Sequence, residues 1–145
     1  GEEDLDTWKT QEGLAILLKR QGRLAAAREA YAQVLEAKRR LLGPAHRHTL
    51  VTLHNLAKLE LADGQVARAR IHAIAALQHR QSTLDHDHPE VLDSRALLIE
   101  VLIAQGDVKK AQLQGAAALI DFKQTFGPTH NKTKALEALL NANNS

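Results

Sequence analysis

The chain has 145 residues, and its 24 alanines and 24 leucines favour packed helices over strands. Hydrophobic residues at 44% and charged residues at 25% supply a core and exclude an intrinsically disordered chain. A net charge of +2, from 19 Lys plus Arg against 17 Asp plus Glu, excludes a polycation built for nucleic acid, and the lack of cysteine excludes disulfides, thiolate nucleophiles and cysteine-based zinc sites.

In chain order, apolar spacing predicts helices over about 5–21, 23–42, 48–63, 65–83, 90–105, 107–126 and 132–142. Glycine ends the first, third and fifth of these, in Gln21-Gly22-Arg23-Leu24, Asp63-Gly64-Gln65-Val66 and Gln105-Gly106-Asp107-Val108. Between the second and third stands Leu42-Gly43-Pro44-Ala45-His46, and between the sixth and seventh Phe126-Gly127-Pro128-Thr129-His130. The intervening copy, Leu84-Asp85-His86-Asp87-His88-Pro89, moves its proline to where it opens the next helix as the first helical residue. These matches share a period of 42 residues, which also superposes Ala27, Ala69 and Ala111; Leu35, Leu77 and Leu119; His46, His88 and His130; and Leu14, Leu56, Leu98 and Leu140. The fold class is therefore all-α, an array of helix-turn-helix repeats, or α-solenoid. It is expected as one array over 1–145, with repeats at about 5–46, 47–88 and 89–130 and a capping helix and tail at 131–145.

The Leu14-Ala15 and Leu56-Ala57 pairs, the turn glycines, the helix-B alanines and the Leu-Gly-Pro-x-His turn resemble the tetratricopeptide repeat, in the 42-residue variety of kinesin light chains. Two positions depart from the pattern. The bulky helix-B residue present as Tyr31 becomes Ala73 and then Gly115, which calls for closer helix packing, and Glu60 stands in register with Leu18 and Leu102. In the last helix Lys134 replaces the equivalents of Leu50 and Leu92, giving a polar face that reads as a cap, whereas Trp8 at that place covers the first hairpin or a preceding repeat.

The resemblance implies a right-handed superhelix with a concave groove lined by the first helix of each hairpin. Its inward positions are Glu12, Gly13, Ile16 and Lys19; His54, Asn55, Lys58 and Leu61; and Ala96, Leu97, Glu100 and Ile103. Leu61, Leu97 and Ile103 would give apolar contact to a partner, and Asn55, Lys58 and His54 polar contact. Asn55 is the position at which peptide-binding members bond the ligand main chain, and its equivalents here are Gly13 and Leu97.

The function expected is non-catalytic binding of a protein or peptide segment in the cytoplasm, with no cofactor. An adjoining domain of the same chain or a second copy is the alternative partner, supported by Ala73, Gly115 and the run Gly115-Ala116-Ala117-Ala118. RNA binding through Lys38-Arg39-Arg40 and Lys109-Lys110 ranks last, because few aromatics are present to stack on bases. No nucleophile elbow, phosphate-cradling loop or metalloprotease motif is present, so an enzyme is not expected. No metal site is expected either: equivalent histidines in stacked repeats lie about 8 to 10 Å apart, too far to share one ion, and His46, His88 and His130 are read as caps or braces for the helices they precede. No apolar run reaches the roughly 20 residues of a membrane span. A chain with no Met, even at position 1, reads as part of a longer protein.

Overall fold

The computed structural model describes the backbone of residues 2–144 and the side chains of residues 7–144; Ser145, the end of the expected tail, lies outside the described residues. Among the described residues there are seven helices and no strand: α1 (Glu2–Arg20), α2 (Leu24–Leu42), α3 (Arg47–Ala62), α4 (Val66–Thr83), α5 (Pro89–Ala104), α6 (Val108–Thr125) and α7 (Asn131–Ala142). The bounds fall within one residue of expectation except at the start of α1, which begins at Glu2. The chain forms two compact units, residues 1–72 and 73–145, with the division inside α4.

The first, third and fifth helices all stop in the same way. Gly22, Gly64 and Gly106 take φ of 77°, 75° and 83°, conformations that side-chain-bearing residues avoid. The next amide then reaches back to a carbonyl five residues earlier: Arg23 N to Leu18 O at 2.9 Å, Gln65 N to Glu60 O at 2.8 Å and Asp107 N to Leu102 O at 2.9 Å. With α1, α3, α5 and α7 taken as A-type helices and α2, α4 and α6 as B-type, each later A-type helix starts on a histidine. Nδ1 of His46, His88 and His130 accepts the backbone N–H of His48, Glu90 and Lys132, at 3.1 Å each time. The imidazole thus does the work usually given to Ser or Asp at a helix start, and Pro89 opens α5 as expected.

In unit 1, α2 packs on both α1 and α3. Trp8 is buried there, so it covers its own hairpin, together with Ala15, Leu18, Ala27, Tyr31, Val34, Leu53 and Leu56. In unit 2, α6 packs on α5 and α7, and Leu92, Ile99, Leu102, Ala111, Ala118, Phe122, Leu136 and Leu140 form the core.

One register position carries three chemistries. Lys38, Arg80 and Phe122 are equivalent, and all are at least nine-tenths buried. Each faces the helix that follows. Lys38 Nζ donates to Thr52 Oγ1 at 2.9 Å, Arg80 Nη1 donates to Ser94 Oγ at 2.8 Å, and Phe122 shares the core cluster with Leu136. Thr52, Ser94 and Leu136 are themselves equivalent. Where the first residue is a cation the second is a hydroxyl, and where it is apolar so is its neighbour, as the cost of an unpaired buried charge requires.

Gly115 is explained by its neighbour rather than by its backbone. A Cβ on it would overlap the side chain of Leu140, so the missing volume is occupied by α7. Gly115→Ala is expected to lower stability by about 1 kcal/mol, because overpacking costs about 1–3 kcal/mol and the gain in helix propensity returns about 1. In a Leu140→Ala background the same change should stabilise, and urea titrations of the four variants would show the reversal of sign.

Candidate functional site

In each unit the A-type helices expose side chains at the same register position. Ile16, Lys58 and Glu100 are equivalent, and all three are exposed. In the neighbouring column Lys19 is exposed, while Leu61 and Ile103 are half-buried apolar residues. Unit 1 therefore brings Ile16 and Lys19 of α1 to its surface, and His54, Asn55, Lys58 and Leu61 of α3, with His54, Asn55 and Leu61 half-buried. Unit 2 presents Glu100 and Ile103 on α5, with Ala96 half-buried.

Two of the expected contact residues are placed otherwise. Leu97 is 3% exposed and lies within the packing of its unit, so it offers no surface to a partner. Its equivalent Gly13 is exposed and Asn55 is intermediate, so this column sinks from surface to core along the sequence as its residue becomes apolar. Glu12 is committed within the fold: its Oε1 accepts from Lys38 Nζ at 2.6 Å and lies 3.3 Å from Thr52 Oγ1. This carboxylate neutralises a cation that α2 carries into the interior, and Thr52 Oγ1 also reaches His48 O at 3.3 Å. Burial, and then the Glu12 carboxylate, push the Tyr31 phenol above its ordinary value of 10.0, so Tyr31 packs as a neutral side chain. Lys38 also drops out of the basic run 38–40, since its side chain is only 8% exposed.

A cavity of about 770 Å³ in unit 1 lies between α2 and α4, on the side of the B-type helices. Residues of α2, including Arg28 and Glu29, line it together with Leu56 and Glu60 of α3 and Arg68, Ile71 and His72 of α4. Glu60 is 2% exposed and its Oε1 lies 2.5 Å from His72 Nδ1. The departure at position 60 is thus answered at position 72, where the first hairpin has Ala30: a Leu and Ala pair is replaced by a carboxylate and imidazole pair. Reading single columns of the repeat misses this partner, whereas comparing columns 18/60/102 and 30/72/114 together reveals it. Among the described residues no group of three or more metal-ligating side chains converges, and no helix is long and apolar enough to cross a membrane.

Residues 6–73 match the family model of the tetratricopeptide repeat. No curated protein matches the chain in sequence. Among solved structures, the nearly identical TPR-like repeats of a chain assigned as kinesin light chain from Podosopora anserina superpose with a TM-score of 0.85 at 25% identity, covering 93% of this chain and 64% of that one. A single-substitution variant of those repeats gives the same values. BtubC (BKLC) from P. vanneervenii superposes with a TM-score of 0.71 over 92% of this chain and 64% of its own, and at 19% identity that likeness concerns the fold. The matched part of the present chain thus spans 64% of the length of each of these proteins, less than two thirds.

Proposed function

We propose that this chain, which resembles the tetratricopeptide repeats of kinesin light chains, is a non-catalytic scaffold that binds a protein or peptide segment along its A-type helices. Repeats of this kind generally mediate protein–protein interaction. The observation that carries the reading is the exposed Ile16, Lys19 and Lys58 on the A-type helices of unit 1, beside the partly accessible Asn55 and Leu61; unit 2 presents Glu100 and Ile103 in the same register. Rigid helices hold these groups in place before any partner arrives, which limits the entropy lost on association. Asn55 offers a donor and an acceptor to an extended main chain, and Lys58 a cation to an acidic side chain. Leu97 contributes through the fold rather than through contact, and Glu12 combines its pairing to Lys38 with a partly accessible carboxylate. The module works as one array over 1–145 within a larger cytoplasmic protein or assembly.

A photo-crosslinking residue placed at Lys58 is expected to capture a protein that the same residue placed at Gln33, exposed on α2, does not. The captured protein, once purified, should bind Asn55→Ala/Lys58→Ala at least about tenfold more weakly, a loss of about 1.4 kcal/mol. Unchanged affinity with intact helicity would overturn the assignment.

A further inference from the structure

Helix α1 departs from the other A-type helices on one side. Thr7, Thr10, Leu14 and Leu17 lie three, four and three residues apart, which sets them in a single stripe turned away from Ile16 and Lys19. All four are exposed, Leu14 at 50% and Leu17 at 51%. Their equivalents in α3, namely Thr49, Thr52, Leu56 and Leu59, are all buried. So are Val91, Ser94 and Val101 of α5 and Thr133, Leu136 and Leu140 of α7, with Leu98 and Asn143 half-buried.

What covers the stripe is the same kind of helix each time. Thr52 accepts from Lys38 of α2 and Ser94 from Arg80 of α4. On α7, Thr133 Oγ1 donates to Phe122 O of α6 at 3.3 Å, and Leu140 fills the space beside Gly115. The cover is always the B-type helix that stands immediately before in the chain, because a hairpin buries its apolar side only against its neighbour. A second copy of the chain as folded has no such helix to offer: α2, α4 and α6 already have that face filled by α3, α5 and α7.

The register also gives the chemistry of the missing cover. Thr10 is equivalent to Thr52 and Ser94, which meet Lys38 and Arg80, whereas Leu136 meets Phe122. A hydroxyl at this position goes with a cation on the helix before it. We propose that the Thr10, Leu14 and Leu17 face of α1 seats the B-type helix of a further hairpin of the same protein, stacked ahead of α1, and that this helix carries a lysine or arginine facing Thr10. The face is separate from the one assigned to a partner segment.

The chain has no cysteine, so Leu14→Cys places one thiol in the stripe, and its rate of reaction with a maleimide reports whether the stripe is covered. In the full-length protein that thiol should react at least about tenfold more slowly than in the 145-residue chain. Four fusions test the pairing. A copy of residues 5–46 or of residues 89–130 is placed ahead of Leu5, so that Lys38 or Phe122 of the added hairpin meets position 10, and each is made with and without Thr10→Leu. Lys38 against Thr10, and Phe122 against the Thr10→Leu side chain, should protect the thiol at least about tenfold. The two crossed combinations should leave it at least about threefold more reactive than the matched ones, since each buries a charge or a hydroxyl without its partner. A thiol equally reactive in the full-length protein and the 145-residue chain overturns the proposal, as does equal protection by matched and crossed hairpins. So does a synthetic peptide of residues 23–43 that protects as well at about 10 μM as the fused hairpin, since the occupant would then be a separate partner's helix. Protection that arises from dimerisation of the unfused chain in sedimentation equilibrium overturns it in favour of a second copy.

Discussion

His72→Ala is expected to lower the stability of the protein by about 3 kcal/mol. The change leaves the Glu60 carboxylate, 2% exposed, without the imidazole that lies 2.5 Å from it. Leaving a buried polar group without its hydrogen-bond partner costs about 1–3 kcal/mol, and the upper end applies because the group is an acid; the His72 side chain is itself 26% exposed, so some water can enter. The double variant Glu60→Leu/His72→Ala copies the first hairpin, where Leu18 and Ala30 occupy the same register. It should recover most of the loss, since replacing a buried pair by apolar residues of fitting volume is often neutral or stabilising. Denaturant titrations followed by helical circular dichroism would measure all three states. If His72→Ala costs less than about 0.5 kcal/mol, the pair contributes nothing to folding.

Phe122→Ala should cost still more in unit 2, about 3–5 kcal/mol, as large-to-small changes at fully buried aromatic positions do. Phe122 is 2% exposed and meets Phe126 edge-on, with ring centroids 5.4 Å apart. Phe126 in turn stacks on His130 at 4.9 Å, and Lys132 Nζ lies 5.3 Å from the Phe126 ring centroid. The cavity therefore opens beneath the turn that carries the cap of α7. With total stabilities of about 5–15 kcal/mol typical of folded domains, the variant sits near the edge of folding. Hydrogen exchange should show protection falling first across α6 and α7 and least across α2, because each repeat contacts its immediate neighbours. Uniform loss of protection throughout the chain would contradict this picture.

Much of the fold was legible because the signals that fix it are local and repeat. The three turn glycines need positive φ, the three histidines precede helix starts, and the apolar spacing follows the helical period, so helix ends came out to within a residue everywhere but at α1. The interior was legible only in part, since pairing between helices is a property of two columns at once. Glu60 stood out as an anomaly, but its answer at His72 lies twelve residues on, in another helix. Lys38 looked like one more charge in a basic run, yet it turns inward to Glu12 and Thr52. That turn ties Glu12 into the fold while leaving its side chain 33% exposed. The burial of Leu97 follows the same logic: a column exposed at Gly13 closes over once its residue is large and apolar. Gly115 suggested an external close approach, whereas its neighbour is Leu140 of the same unit. The small residues that do face outward are Ala116 and Ala117.

The shared position held by Lys38, Arg80 and Phe122 has a consequence for how such a chain can change over generations. Each joint is keyed: ammonium to threonine, guanidinium to serine, phenyl to leucine. Duplicating or shuffling a hairpin would set Arg80 against Leu136, or Phe122 against Thr52, and strand a charge or a hydroxyl in the dark interior. The hairpins are alike enough to stack, and these joints fix the third of them next to the last helix, since only Phe122 presents an apolar side chain to Leu136.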